Sequence, residues 1–138
     1  MNLLMCPVCR EALTLNERTW RCANSHSYDV AKQGYVNLHV VQHKHSKNPG
    51  DTRESVQARR AFLSAGHYAP LQQAVINKVR ELRIENLLDI GCGEGYYTDA
   101  MQSEVLQCVG VDIAKNAVQV AAKINKNITW VVGTGATL

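Results

Sequence analysis

The 138-residue sequence contains no long hydrophobic run. No apolar stretch approaches the roughly 18 residues that a membrane-spanning helix needs, and the first residues lack the apolar segment of a secretory signal. Aromatic residues are scarce at 6%, and hydrophobic residues make up 46% against 20% charged. This composition is typical of a globular protein. We therefore expect no membrane partner, and either one domain or one domain plus a small module.

A strong excess of charge of one sign is also missing, because 15 basic and 12 acidic residues give a net charge of +3. That value is too small to indicate nucleic-acid binding by itself. The charge is uneven, however: residues 1–60 carry nine Lys/Arg and five Asp/Glu (net +4), whereas residues 61–138 carry six and seven (net −1). The five cysteines are an odd number and unevenly spaced, which does not fit a disulfide framework. We expect a reducing, cytoplasmic setting.

Four residues near the start have the spacing of metal ligands: Cys6-x2-Cys9, then twelve residues, then Cys22-x3-His26. Two close pairs of sulfur and nitrogen donors suit tetrahedral Zn²⁺, and a shell of four protein ligands predicts one structural ion. The metal would also stabilise a segment too short to bury a core alone. The alternative is three buried cysteines and an unrelated histidine. Three further histidines are rival ligands with a less favourable spacing, namely His39, His43 and His45.

Basic and aromatic side chains accompany these ligands in the sequence, namely Arg10, Arg18, Trp20 and Arg21. Cations beside a stacking face are typical of zinc modules that bind RNA. An equal alternative is that the arginines are solvated surface charges and that Trp20 is packed in the interior.

The rest of the chain alternates between helical and strand patterns. Helices are predicted over residues 54–63, after Pro70, and over residues 97–103 and 115–124. Short apolar strands are predicted over residues 86–90, 108–111 and 128–132. Strands of this kind alternating with helices predict a parallel sheet in an α/β fold. Residues 39–53 are basic and rich in turn-forming residues, so we expect a loop there.

The segment 91–95 reads Gly-Cys-Gly-Glu-Gly and joins a predicted strand to a predicted helix. Such a turn lets a ligand approach backbone N–H groups at a helix start. A Walker A loop is excluded because no Gly-Lys-Ser/Thr follows. Asp89 before the loop and Glu94 within it would repel the phosphates of a dinucleotide. A cationic ligand is therefore favoured over NAD.

S-adenosylmethionine meets these requirements, since it carries a positive sulfonium and a ribose but no phosphate. Asp112, at the end of the next strand, is placed to accept hydrogen bonds from ribose hydroxyls. The alternative is an α/β domain whose glycines serve packing only. Cys92 could be a nucleophile, but no histidine lies near it in the sequence to activate it. The favoured role of Cys92 is that of a small side chain that fills the tight turn.

Further segments accompany the zinc pattern and the glycine loop in a fixed order: residues 31–38 (AKQGYVNL), 42–44 (QHK), 49–51 (PGD), 58–63 (ARRAFL) and 66–68 (GHY). With them, about residues 5–132 closely resemble bacterial 23S ribosomal RNA guanine-N1 methyltransferases. The resemblance implies a zinc-binding RNA-recognition module fused to a class I, Rossmann-like methyltransferase domain. The implied substrate is a guanine in a hairpin loop of 23S rRNA, and a homodimer is compatible with it.

The resemblance also implies roles for individual residues. The zinc ligands would be Cys6, Cys9, Cys22 and His26. The residues that the resemblance implies to bind S-adenosylmethionine are Tyr68, Gly93, Glu94 and Asp112. The loop pattern itself adds Asp89, Gly91 and Gly95 as candidate cofactor-binding residues. Basic residues that the resemblance favours as phosphate contacts are Arg10, Lys44, Lys47, Arg59 and Arg60, although the last two equally fit the solvated face of a helix. No catalytic residue is assigned.

These predictions divide the chain into a zinc-binding module at residues 1–38, a basic linker at 39–53, and a helical lead-in with the first part of the methyltransferase domain at 54–138. The resembled family continues through further strands. We therefore expect the fold to stop after about three strands and the chain alone to be inactive. The competing hypothesis is a non-catalytic zinc-dependent RNA-binding or interaction module with a vestigial cofactor fold.

Overall fold

The computed structural model describes residues 3–39 and 52–135. Most of the predicted loop over residues 39–53 lies outside these ranges. The predictions made for His43, Lys44, His45 and Lys47 therefore fall outside the described residues.

The N-terminal segment forms a small antiparallel sheet in the order β1 (Thr14–Asn16), β2 (Thr19–Arg21), β3 (Ser27–Asp29). Trp20 on β2 is paired with Leu15 on β1 and with Tyr28 on β3. Glu17 turns the first hairpin with a positive φ of 58°. Strands of three residues are too short to show an alternating pattern, so the sequence did not predict them.

A four-stranded parallel sheet forms the second half, in the order β4 (Tyr35–Asn37), β7 (Thr129–Val132), β6 (Gln107–Asp112), β5 (Asn86–Ile90). The last three strands coincide, within a residue or two, with the three predicted ones. Every neighbouring pair in this sheet is parallel. The predicted α/β class with a parallel sheet is confirmed.

Strand β4 belongs to the parallel sheet although the sequence assigns it to the zinc-binding module. Tyr35, Val36 and Asn37 pair with Trp130, Val131 and Val132 of β7. Leu38 extends this pairing by donating its backbone N–H to the Val132 carbonyl at 2.8 Å. The division at residue 38 stays a prediction, but the segment before it is tied to the sheet by main-chain hydrogen bonds.

Four helices accompany the strands: α1 (Arg53–Ser64), α2 (Ala69–Leu82), α3 (Tyr96–Gln102) and α4 (Lys115–Ile124). Helix α1 starts at Thr52, whose hydroxyl accepts the Ser55 backbone N–H at 3.1 Å, as an N-cap does. Its buried Val56 packs against α4. All four helices lie within a residue or two of their predicted positions.

Helix α2 carries an apolar stripe, made of Leu71, Ala74, Val75, Val79 and Leu82, and buries only part of it. Val79 is buried, but Leu82 is 61% exposed and Leu71 is exposed as well. Arg80 ties the helix to the segment after α3 by a two-pronged ion pair with Glu104, at 2.7 and 3.2 Å. Leu71 and Leu82 therefore stay at the surface of the described structure.

One face of the parallel sheet packs on the zinc-binding segment. The shared cluster of buried side chains joins Leu4 and Leu13 to Val109, Val111 and Val131 of the sheet. Trp20 packs against the same cluster, which favours the interpretation of Trp20 as a packed side chain. The two halves of the chain are therefore parts of one core.

The opposite face of the sheet is covered by α4. Trp130 on β7 is fully buried there with Val118, Ala121 and Ala122 of the helix. Its indole N–H donates to the Asn125 carbonyl at 2.8 Å, which satisfies the polar atom of a buried Trp. Among the described helices, none has the length and apolar character that crossing a membrane demands.

Candidate metal centre and cofactor-binding cleft

The four predicted metal ligands converge at one point. Cys6 and Cys9 lie in the turn enclosed by the Met5–Ala12 bridge, and Cys22 and His26 flank the turn between β2 and β3. Their ligand atoms all lie within 4.8 Å of one another. The fold therefore brings two tight turns face to face, as the paired spacing predicts.

The distances between these donor atoms suit a single zinc ion. The Cys9 and Cys22 sulfurs are 3.6 Å apart, and His26 Nδ1 lies 3.3 Å from Cys22 Sγ and 3.6 Å from Cys6 Sγ. A tetrahedral Zn²⁺ bonded to sulfur at about 2.3 Å and to nitrogen at about 2.1 Å separates its ligand atoms by roughly 3.5–3.8 Å. All five cysteines are free thiols. The donor set fits one structural zinc.

Neighbouring groups favour the thiolate form of two of the three cysteines at this centre, whereas burial raises the pKa of Cys22. Burial raises the pKa of the Cys6 thiol, but hydrogen bonds from the Tyr28 hydroxyl and from the backbone of Cys9 and Val8 outweigh it, so that the pKa is lowered. The pKa of Cys9 is lowered first by the Asn24 side chain. Zinc binds thiolates, so such donors assist metal binding.

Tyr28 is a member of this centre that the sequence did not reveal. Its hydroxyl lies 3.2 Å from Cys6 Sγ, and burial followed by the hydrogen bond with Cys6 raises its pKa. The phenol therefore stays protonated and donates to the sulfur. Only the pairing of β3 with β2 determines that Tyr28 points toward the metal ligands, and spacing in the sequence carries no such signal.

The glycine loop lies between β5 and α3, as predicted, and is fixed by Asp112 at the end of β6. The Gly93 backbone N–H donates to Asp112 Oδ2 at 2.9 Å, and the Ala114 N–H donates to Oδ1 at 2.8 Å. A carboxylate offers about four acceptor positions. Asp112 thus holds the loop and retains acceptor positions for two further hydroxyl groups.

The glycines of this loop differ in what surrounds them. A Cβ atom on Gly91 or Gly93 would meet nothing among the described residues within 4 Å. At Gly95 a Cβ would lie 2.7 Å from Trp130 Cη2, and the φ of 88° is one that other residues rarely adopt. Gly95 is therefore required for packing, whereas Gly91 and Gly93 leave open space that a ligand can occupy.

The open space beside Gly91 belongs to a cleft of about 290 Å³ at the carboxyl ends of β5, β6 and β7. In parallel α/β sheets, ligands bind at this edge. The cleft is mostly apolar with one carboxylate, and its lining comprises Ile90, Gly91, Val111, Asp112, Ile113, Gly133, Thr134 and Gly135. Its volume is at the low end for small-molecule sites. An acidic group for a ribose and apolar walls for a flat ring fit an adenosine-containing cofactor.

Negative charge concentrates around the loop. The pKa of Cys92 is raised, first by burial and then by the carboxylates of Asp112, Asp89 and Glu94. Cys92 is therefore a protonated thiol in a tight turn, in agreement with its predicted packing role. The same three carboxylates favour a cation and oppose a phosphate.

Two of the predicted cofactor residues are engaged elsewhere in the described structure. Asp89 accepts a 2.6 Å hydrogen bond from the buried Thr98 hydroxyl, which fastens α3 to β5. Glu94 is 6% exposed and lies 3.8 Å from Arg59 Nε. Arg59 thus has a protein counter-charge, which weakens its prediction as a phosphate contact.

Glu94 and Gly95 line a second cleft of about 200 Å³, between α1, α2 and α4, together with Trp130. Tyr68 lies in neither cleft; it is 43% exposed and contacts Phe62 edge-on with ring centres 5.6 Å apart. The structure therefore brings Gly91 and Asp112 into one cleft, and Gly93 is hydrogen-bonded to Asp112. Glu94 and Gly95 line the other cleft, and Tyr68 lies in neither. The cofactor contacts of all these residues stay predictions.

The fold and these two sites define a class of protein, a zinc ribbon built onto a class I methyltransferase-type α/β domain. Residues 4–47 match the family model described as RlmA, N-terminal, a zinc ribbon, and residues 87–138 match a methyltransferase domain model. The cofactor of that domain is S-adenosylmethionine.

Curated relatives show what the chain is similar to. Over 129 residues the chain is 38% identical to the 23S rRNA (guanine(748)-N(1))-methyltransferase of Streptomyces fradiae, covering 89% of this chain and 45% of the relative. It is 34% identical to a putative 23S rRNA (guanine-N(1)-)-methyltransferase of Micromonospora griseorubida (87% and 47% covered). A putative enzyme of the same name from Bacillus subtilis is 24% identical (95% and 49%).

The chain is therefore a relative of the 23S rRNA guanine-N1 methyltransferases and corresponds to their N-terminal half. It spans about half the length of the curated relatives it matches. The predicted resemblance and its extent are confirmed.

Proposed function

We propose that this chain forms the zinc-binding and cofactor-binding half of an S-adenosylmethionine-dependent methyltransferase that modifies N1 of a guanine in 23S rRNA. The observation that carries the proposal is the hydrogen bond between Asp112 and Gly93. This hydrogen bond places an acidic side chain beside the open glycine loop. The sheet that carries the loop shares its hydrophobic core with the zinc ribbon.

When bound, S-adenosylmethionine supplies a methyl group on a positively charged sulfur, and its transfer to guanine N1 releases the N1 proton. The residues of this chain bind and orient. Asp112 would accept hydrogen bonds from the ribose hydroxyls, Gly91 would admit the ligand against the backbone, and the apolar wall at Ile113 would receive the adenine ring. Gly93 would support this site through its hydrogen bond to Asp112 and the open space beside its backbone. Fixing the angle and distance of transfer is the main contribution such a site makes. We assign no described residue as the proton acceptor.

We extend the proposal to the substrate and setting. Guanine N1 lies on the pairing edge of the base, so the target must be unpaired or flipped out, which favours a hairpin loop. The free thiols of the zinc centre suit the cytoplasm, where bacterial rRNA is modified.

A homodimer is the oligomeric state we propose. Leu88 of β5 is 49% exposed and lies outside the lining of the cofactor cleft. A second copy of the chain would bury this apolar side chain. Light scattering distinguishes a dimer, which is expected, from a monomer, which would contradict this part of the proposal.

Calorimetric titration tests the cofactor. Saturable heat with S-adenosylmethionine and none with NADH is expected because the loop is acidic. Heat with NADH alone would overturn the proposal in favour of a dinucleotide-binding protein.

Transfer of a labelled methyl group to unmodified 23S rRNA tests the activity. Since the chain spans about half of its relatives, we expect cofactor binding with little or no turnover. Turnover would refute the competing hypothesis of a non-catalytic module. Absence of both cofactor and RNA binding would refute the proposed function.

A further inference from the structure

A groove of about 330 Å³ lies where the zinc-binding segment meets helix α4. Its lining is Lys32 and Gln33, from the turn before β4, and Lys123 and Lys126, from the end of α4 and just beyond. We call this set of four residues the lysine groove. Neither the metal centre nor the cofactor cleft includes any of them.

The lysine groove has an unbalanced positive charge. All three lysines are exposed, and among the described residues its lining includes no carboxylate. A fourth cation lies beside it, because the exposed Arg18 donates to the Ala31 carbonyl at 2.8 Å, next to Lys32. Like charges this close repel one another, and a bound polyanion would relieve that repulsion.

Contacts within the protein hold the groove in shape. Lys126 Nζ donates to the Gln33 carbonyl, and the Tyr35 hydroxyl accepts from Gln119 of α4 at 3.3 Å. These contacts join the turn before β4 to the helix. Lys32 and Lys123, which make no such contact in the described structure, are the groups available to a ligand.

The lysine groove lies at the amino ends of the strands of the parallel sheet, and the cofactor cleft lies at their carboxyl ends. Lys32 and Lys126 come just before β4 and β7, whereas Gly91 and Asp112 lie at the carboxyl ends of β5 and β6. The six residues of β6, at about 3.3 Å each, separate the two ends by roughly 20 Å. A ligand that reaches both must be a long polyanion, not a single nucleotide.

We propose that the lysine groove binds the phosphate backbone of the RNA whose target base occupies the cofactor cleft. The inference rests on the proposed function, which supplies an RNA substrate. With lysines and no aromatic side chain in its lining, the groove contacts phosphates and fixes the position of the RNA without reading its sequence.

The test is RNA binding by the Lys32→Glu/Lys123→Glu double variant. Lys126 is left intact because it holds Gln33. The matched control is Lys78→Glu, which reverses an exposed lysine on α2. Fluorescence anisotropy with a labelled transcript of a 23S rRNA hairpin, without cofactor, gives the affinity at several salt concentrations. Circular dichroism and zinc content verify that both variants fold.

We expect the double variant to lose about tenfold or more in affinity, with the control unchanged. Two lost phosphate contacts should also reduce the slope of log affinity against log salt by about 1.4–1.8. Equal affinity of the double variant and the unmodified chain would overturn the proposal that the lysine groove binds RNA, and it would leave the proposed function standing. No RNA binding by the unmodified chain would also overturn the proposal that the lysine groove binds RNA. The cofactor titration would then test the proposed methyltransferase function separately. Polyglutamate binding that is tighter than RNA binding and is lost in the double variant would show an acidic protein partner instead, which would also overturn it.

Discussion

The carboxylate of Asp112 accepts the backbone N–H of Gly93 at 2.9 Å, which joins the end of β6 to the loop that follows β5. Its other oxygen accepts from Ala114 at the start of α4. One side chain thus holds both walls of the cleft in which its own remaining acceptor positions are exposed. Loop geometry and ligand recognition depend on the same carboxylate.

Replacement of Asp112 by Asn should weaken S-adenosylmethionine binding. The amide keeps one acceptor oxygen but loses the charge, and a hydrogen bond to a charged group contributes about 1.5–3 kcal/mol. We expect an affinity loss of about 10- to 100-fold by calorimetry. The control is Asp29→Asn, an exposed carboxylate on β3 that accepts from Thr19. Equal affinity in the two variants would exclude Asp112 from ribose binding.

The sequence predicted this arrangement well where local rules apply. Periodicity located β5 to β7 and all four helices, and paired spacing located the metal ligands. Each of these signals depends on residues that are only a few positions apart in the sequence. Strand β4 was missed as a member of the sheet, since its pairing with Trp130 and Val132 joins residues about a hundred positions apart. Long-range pairing leaves no local pattern in a three-residue strand.

The cofactor residues show the same limit. The glycine spacing indicated a ligand loop but did not distinguish Gly91 and Gly93, which are open to a ligand, from Gly95, which packs against Trp130. Arg59 fitted a phosphate contact in the sequence, and only the packing of α1 against the loop reveals its ion pair with Glu94. Which side chain faces which neighbour is a property of tertiary packing.

Replacement of Tyr28 by Phe should weaken zinc binding without unfolding the protein. The change removes the hydroxyl that donates to Cys6 at 3.2 Å, and loss of such a supporting hydrogen bond costs about 10- to 100-fold in metal affinity. Competition with a coloured chelator measures the zinc affinity.

The matched control for this prediction is Tyr35→Phe. It removes a hydroxyl that contacts Gln119, away from the metal centre. Unchanged zinc affinity in Tyr28→Phe would show that Tyr28 does not support the centre. Cys9→Ser should lose the metal, and full retention of zinc by that variant would contradict the ligand set.

Replacement of Gly110 by Ala should destabilise the fold. A Cβ at Gly110 would lie 2.5 Å from Cζ3 of the buried Trp130 ring, and overpacking of this kind costs about 1–3 kcal/mol. Urea denaturation measures the free energy of unfolding. In the control Gly133→Ala the nearest atom would be 3.7 Å from the new Cβ, so little change is expected. Equal stability of the two variants would show that the strand or the Trp130 ring shifts to accommodate the new Cβ without loss of stability.

The buried thiol of Cys108 should make the protein less stable in alkali. Burial, and secondarily the charge of Asp89, raises the pKa of Cys108 from its usual 9.0 to about 12. The folded protein therefore keeps this proton at pH values where the unfolded chain releases it. The resulting stability is fully present below about pH 9 and is lost between about pH 9 and 12.

Urea denaturation in the presence of a thiol reductant, at about pH 8 and about pH 10, tests this dependence. We expect Cys108 to account for a loss of about 1 kcal/mol over that interval, and Cys108→Ala should remove that part of the loss. The control Val118→Ala enlarges a cavity in the same cluster but introduces no titrating group, so its destabilisation should be the same at both pH values. If Cys108→Ala follows the pH dependence of the unmodified chain, then the thiol of Cys108 titrates alike in the folded and unfolded states, and its burial has no part in alkaline unfolding.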